Sequence, residues 1–175
     1  LASCLHQGQR RKGSGEPYLS HLMGVASLVI RYDGTDTEAA GALLHDAAED
    51  CGGEETLDRI SREIGLEVAD IVRGCSDCLE TPKPPWRKRK EAFIRSLQDA
   101  SPSVILVSNC DKIYNLGTIL DDFRNEGEAV WKRFTGKKDN TLWYYRTLTK
   151  FYLESGKPAP AEKLSRIMQA LEKEI

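Results

Sequence analysis

Residues 35–50 read T-D-T-E-A-A-G-A-L-L-H-D-A-A-E-D, a stretch that joins a helix start to a dense set of reactive side chains. Thr35 and Glu38 have the spacing of a capping box, in which each side chain satisfies an amide that the first helical turn leaves open. The small-residue and leucine run from Ala39 to Leu44 follows, so the helix is expected to be buried, to lead into His45 and Asp46, and to break at Gly52 and Gly53. Carried along that helix, Asp46, Glu49 and Asp50 stand at i, i+3 and i+4 and share one face. Three carboxylates directly after a greasy stretch are costly to bury unless a cation or several donors sit among them.

Outward from this segment, apolar residues recur three and four apart and strand-like alternation is scarce, so the chain reads as all-α. Upstream, Pro17 suits the first turn of a helix running to about Arg31, with Leu22, Val25, Ala26 and Val29 on one side and His21 near its start. Downstream, Leu57, Ile60 and Ile64 mark a helix stopped by Gly65, and Val68, Ile71 and Val72 mark the next. Thr81 to Pro85 holds three prolines and must be a loop. A helix from about Trp86 to Ala100 should bury Phe93, Ile94 and Leu97 and expose the basic run Arg87 to Lys90, either as a solvated face or toward a phosphate. Val104 to Val107 could be a buried strand, but Ser101 as cap, Pro102 in the first turn, and Val107, Asp111, Ile113, Leu116 and Leu120 at helical intervals favour one helix of about twenty residues. Later helices are expected near Ala129 to Phe134, Asn140 to Glu154 and Ala161 to Ile175, with Ser155 to Pro160 as a connector.

The 175 residues fit one domain, and an apolar share of 40% closes a sizeable core. With 25 basic and 27 acidic residues the formal charge is −2, which offers no global field to gather a nucleic acid polymer or an anionic membrane. Any phosphate-bearing ligand must be held by local groups. No apolar run approaches the ~20 residues of a membrane span, and the start lacks the long apolar stretch of a secretion signal, so a cytoplasmic setting is expected. The five cysteines, Cys4, Cys51, Cys75, Cys78 and Cys110, read as free thiols; the C-x-x-C at 75–78 has neither a second pair nor a nearby histidine.

The chain has three histidines, and His45 is followed directly by Asp46. That pair can supply two metal ligands, which His21 and Asp111 would complete from other helices; a plain hydrogen-bonded His-Asp pair is the alternative. Two imidazoles and two carboxylates suit Mn²⁺, Fe²⁺ or Zn²⁺ better than Mg²⁺, which prefers oxygen and water. His6 reads as a structural hydrogen-bonding residue near such a site.

Three separated segments then carry a resemblance: H-Q-G-Q-R-R-K-G-S-G-E-P-Y-L-S-H at 6–21, A-L-L-H-D-A-A-E-D at 42–50 and N-C-D-K-I-Y-N-L at 109–116. In order and approximate spacing they resemble the HD-domain hydrolases of the RelA/SpoT group, particularly the small free-standing alarmone hydrolases. The likeness extends over most of residues 1 to about 155, including W-Y-Y-R-T-L at 143–148. It implies a single helical bundle of about ten helices over 1–175, with the helix at about 161–175 accessory. It implies one Mn²⁺ on His21, His45, Asp46 and Asp111, and Glu49 and Asp50 as the catalytic residues that handle the attacking water and its protons. The implied reaction removes the 3′-pyrophosphate from guanosine tetra- or pentaphosphate, with a phosphatase acting on NADPH or another nucleotide, or a non-catalytic nucleotide sensor, as alternatives.

By the same likeness Arg11 and Lys12 line the nucleotide pocket, where a solvated basic loop is the other reading, and Lys112, Asn115 and Thr118 meet ribose and phosphate. Tyr114 is shared with the animal relatives and could equally serve packing. Ser108-Asn109-Cys110 stands where the family commonly has Lys-Leu-Ala, Gly117 replaces a frequent Arg, and Leu22 replaces the usual Pro. The first two departures lie beside the implied substrate and bear on which nucleotide is taken. Oligomeric state is not legible.

Overall fold

A computed structural model of the chain describes residues 1–155 and 158–175, so the expected connector at Ser155 to Pro160 falls partly outside the described residues. The described residues form α1 (Ala2–Leu5), α2 (Leu19–Arg31), α3 (Asp36–Leu44), α4 (Ala47–Cys51), α5 (Gly53–Glu63), α6 (Leu66–Cys75), α7 (Trp86–Ser96), α8 (Pro102–Glu126), α9 (Lys137–Glu154) and α10 (Pro158–Glu174). Two 3-10 turns, Leu97–Asp99 and Gly127–Arg133, join them. Among the described residues the one strand-type pairing is an isolated antiparallel bridge between Arg10 and Pro17. The all-α expectation therefore holds. The residues group into two compact units, Leu1–Ser108 and Asn109–Ile175.

In the first unit α3 begins as its sequence dictates. Thr35 accepts from the Glu38 amide at 3.2 Å while the Glu38 carboxylate accepts from the Thr35 amide at 2.8 Å, completing the capping box. α3 packs against α2 on one side and α6 on the other. Gly41 permits the second approach, because a Cβ at that position would lie 2.6 Å from Ile71 Cγ2. Leu44, Ala47, Ala48, Leu57, Ile60, Val68 and Val72 form one buried cluster that fixes α4, α5 and α6 together. Burial of such side chains stabilises by about 1.5–3 kcal/mol each for the larger ones, so the wall carrying residues 45–50 is held firmly.

The expected continuous helix through residue 50 is broken at His45 and Asp46, the C-cap of α3 and the N-cap of α4. His45 Nδ1 donates at 2.8 Å to the carbonyl of Ala42, the acceptor that an unbroken α-helix would give to the Asp46 amide. Other boundaries shift for similarly local reasons. Pro17 belongs to the bridge with Arg10 and precedes α2 instead of opening it. Ile64, read with Leu57 and Ile60 as marking α5, is instead its C-cap and 46% exposed beside the Gly65 stop. α7 ends at Ser96, with the residues to Asp99 tightening into a 3-10 turn; Phe93 and Leu97 are buried and Ile94 only partly. Val104 to Val107 is helical, with Ser101 Oγ accepting from the Val104 amide at 3.3 Å as a cap.

In the second unit, Ile113, Leu116, Leu120, Trp131, Leu142 and Leu148 are buried. Ala161, Leu164, Met168 and Leu171 recur at helical intervals on the buried side of α10, which packs against α9. Arg124 and Arg146 pair with Glu174 and Glu172 at 2.7 and 2.6 Å.

Candidate active site

His21, near the start of α2, and His45, at the end of α3, are both buried, at 1% and 2% exposure. Their Nε2 atoms lie 3.3 Å apart, and Asp46 Oδ2 lies 3.3 Å from the first and 3.0 Å from the second. The break between α3 and α4 makes this possible, since it turns the Asp46 carboxylate toward the imidazole of its own neighbour. A carbonyl only accepts, so the bond to Ala42 places the His45 proton on Nδ1 and leaves Nε2 as a ligand atom.

The triangle fits a small divalent ion. Bonds of about 2.0–2.2 Å to nitrogen and oxygen put neighbouring donors of a tetrahedral or octahedral shell about 2.9–3.6 Å apart, the range these three atoms occupy. Two imidazoles and a carboxylate form a borderline donor set for Mn²⁺, Fe²⁺ or Zn²⁺.

Tyr18, which the sequence reading passed over, donates to the same Asp46 Oδ2 at 2.7 Å. Its ring stacks on His6 with centroids 5.1 Å apart and meets His21 edge-on at 5.5 Å. His6 is buried as expected, with Nδ1 2.6 Å from Gln9 Oε1, and Gln9 Nε2 donates to Asp50 Oδ2 at 2.8 Å. Gln9, Tyr18 and His21 lie within one short segment, closed by the Arg10–Pro17 bridge, so a single segment holds both Asp46 and Asp50. The Arg11 guanidinium stands 5.9 Å from the centre of the Tyr18 ring, while Lys12 is exposed.

Glu49 and Asp50 do not share the Asp46 environment. Glu49 Oε1 accepts from Lys83 at 2.9 Å, and Oε2 accepts from the Asp77 amide at 3.3 Å. Burial and the charge of Asp77 push the Glu49 carboxyl above its ordinary range, and the bond from Lys83 partly offsets them. An open cavity of about 440 Å³ is lined by Glu49, Asp50, Glu54, Glu80 and Lys83 among others. Lys83 lies in the loop read only as proline-rich, so its signal was a lone cation among prolines.

The basic run also departs from expectation: Arg89 and Lys90 turn inward to Asp77 at 2.6 and 2.5 Å, whereas Arg87 pairs with Glu91 on the exposed surface. Partial burial draws these two cations to the acid that shares their low-dielectric setting.

Asp111, Lys112, Asn115 and Thr118 lie on α8 in the second unit. Asp111 accepts from Lys112 and, at 2.5 Å, from Asn115 Nδ2. Thr118 Oγ1 donates to the Tyr114 carbonyl at 3.0 Å within the helix. Burial opposes the Lys112 charge, but Asp111 more than compensates and keeps the ammonium well above its ordinary range. Asn109 and Cys110 are buried, and a Cβ at Gly117 would meet no atom within 4 Å.

The chain is 37% identical over 119 residues to the human guanosine-3′,5′-bis(diphosphate) 3′-pyrophosphohydrolase MESH1, the match covering 66% of the chain and 64% of that protein. It is 32% identical over 125 residues to the guanosine-3′,5′-bis(diphosphate) 3′-pyrophosphohydrolase of Haemophilus influenzae, covering 68% of the chain and 18% of that protein. The chain thus spans less than two thirds of the length of these curated relatives. The crystal structure of lmo0812 from Listeria monocytogenes EGD-e superposes with a TM-score of 0.75 at 25% identity, covering 87% of the chain and 99% of that one. A metazoan ortholog of SpoT that hydrolyzes ppGpp superposes with a TM-score of 0.77 at 24% identity, covering 96% and 89%, a likeness of fold. The family profile described as HD domain matches residues 1–141, and the chain is a member of the HD domain family.

Proposed function

We propose that the chain is a Mn²⁺-dependent hydrolase that removes the 3′-pyrophosphate from guanosine tetra- or pentaphosphate, yielding GDP or GTP and pyrophosphate. The observation that carries this reading is the triangle of buried His21 and His45 with the partly exposed Asp46, followed on α4 by Glu49 and Asp50, in an HD-domain chain. The names of the relatives from human and Haemophilus influenzae support the substrate. On motif likeness alone we assign Asp111 as a fourth ligand, and Arg11, Lys12, Lys112, Asn115 and Thr118 to the nucleotide. We also take residues 1–175 to work as one domain with α10 as accessory. Five free thiols suit a reducing, cytoplasmic setting, and no described helix is long and apolar enough to cross a membrane.

A divalent ion held by His21, His45 and Asp46 would supply Lewis acidity toward phosphoryl oxygen and acidify water. The protein's own groups do the rest. Tyr18 fixes Asp46 by bonding the oxygen that faces both imidazoles. Glu49 and Asp50 align the attacking water and carry its proton, and Gln9 holds Asp50 for that purpose. The water oxygen forms the new bond to phosphorus, the bond from phosphorus to the 3′ oxygen breaks, and a proton ends on that oxygen.

The test is metal analysis of purified protein together with a Mn²⁺-stimulated assay, comparing pyrophosphate release from ppGpp with orthophosphate release from NADPH. Faster pyrophosphate release is expected. Turnover of NADPH alone would replace the substrate, and binding without metal-dependent turnover of either would replace hydrolysis by sensing.

A further inference from the structure

Asp77 lies in the turn after α6, outside the three motif segments at 6–21, 42–50 and 109–116. Its side chain is 4% exposed. Arg89 NH1 donates to both of its oxygens at 2.6 Å, and Lys90 Nζ donates to Oδ2 at 2.5 Å. Two cations on one buried acid would be excessive if the acid served only to neutralise them. The second acid beside it is Glu49: the Asp77 amide donates to Glu49 Oε2 at 3.3 Å, and Arg89 NH1 stands 3.9 Å from Glu49 Oε1.

We infer that Asp77, clamped by Arg89 and Lys90, is a positioning residue for Glu49: its amide and its charge hold that carboxyl against the opposing pull of Lys83. The inference rests on the reading of Glu49 as the group that handles the proton of the attacking water. Like charges in close contact cannot both ionise freely, and the environments here are unequal. Burial works against the charge on Asp77, yet Lys90 and Arg89 outweigh it and hold the carboxyl below its ordinary range. Glu49 shifts the other way, so of the two carboxyls it is the one that takes up a proton first as pH falls, which suits it to receive the proton of the attacking water.

The other charged groups around Glu49 are few. Asp50 stands on its own helix, Glu54 opens α5 and is tied to Arg73 of α6 at 2.6 Å, and Glu80 and Lys83 come from the loop. α1 contributes no charged side chain. None of the acids among them carries the double cation clamp of Asp77. The basic run on α7 thereby acquires a purpose that neither solvation nor phosphate contact describes.

The test is the pH profile of kcat/KM for Mn²⁺-dependent ppGpp hydrolysis by the full chain, with Glu49→Gln identifying the limb that belongs to Glu49. In Asp77→Asn that limb moves to lower pH, because a raising charge is lost and two cations are released toward Glu49. kcat falls about tenfold, less than the 10²–10⁴-fold of a deleted acid–base group, while bound Mn²⁺ and KM stay as in the wild type. A limb that stays in place overturns the inference. Carbon-13 titration of the Glu49 carboxyl, without Mn²⁺ or substrate, gives a second readout. In the wild type its midpoint lies above the ordinary glutamate value of ~4.3; a midpoint at or below that value overturns the inference whether or not Asp77→Asn folds. A chain that titrates as expected but leaves ppGpp intact refutes the proposed substrate and not the role of Asp77.

Discussion

Tyr18→Phe removes one oxygen from the candidate metal centre and leaves the rest of the residue in place. The ring keeps its stack on His6 at 5.1 Å and its edge contact with His21 at 5.5 Å, so packing around the imidazoles is conserved. What is lost is the 2.7 Å bond to Asp46 Oδ2. A hydrogen bond to a charged group contributes about 1.5–3 kcal/mol, and outer groups that orient metal ligands change affinity by about 10–100-fold. Asp46 is 24% exposed, so water can take the vacated position and the loss should fall at the lower end, about tenfold. The assay is calorimetric titration with Mn²⁺ against a competing chelator, with thermal melting to show that both proteins are folded. An affinity within about twofold of the wild type, outside the tenfold range expected for such an outer group, would refute the claim that Tyr18 orients the ligand set.

Further substitutions separate metal binding from turnover and structure from both. His45→Ala should lose Mn²⁺ and activity together, whereas Glu49→Gln should keep the metal and lose about 10²–10⁴-fold in rate, as read by metal content and pyrophosphate release. Gly41→Ala should destabilise the wild type, since overpacking of about 1–3 kcal/mol exceeds the gain in helix propensity of about 1 kcal/mol; in an Ile71→Ala background, where Cγ2 is gone and the nearest atom is the Cβ at 3.1 Å, the same change should cost less. Denaturant midpoints of the four proteins check that difference. Thr35→Ala removes the cap of α3 and should cost about 1 kcal/mol, or about 2–4 °C in Tm for a chain of this size.

The helical architecture was legible because it rests on periodicity and punctuation: the capping box, the glycine stops and the Ser101-Pro102 start all sit where the sequence put them. The triangle of His21, His45 and Asp46 was legible as residue types but not as geometry. Nothing in L-L-H-D-A-A-E-D announces that His45 takes the Ala42 carbonyl and splits the helix, since that bond depends on an imidazole rotamer and not on spacing. Tyr18 and Gln9 lay inside a recognised motif but their polar ends matter only once α4 is beside them. Arg89 and Lys90 were misread for a related reason. A charge run looks like a wet face until the buried acid it meets, Asp77, comes from a different element.

The interruption between α3 and α4 has a bearing on how such a centre changes over generations. His45 and Asp46 are anchored to the wall formed by α2 and α3, but Glu49 and Asp50 ride on a five-residue stub that ends at two glycines with positive φ. Substitutions at the stub, or in the neighbouring loop that feeds Lys83 to it, can re-aim the carboxylates of Glu49 and Asp50 while His21, His45 and Asp46 stay where they are. The triangle and the acids of the stub are thereby heritable as separate traits.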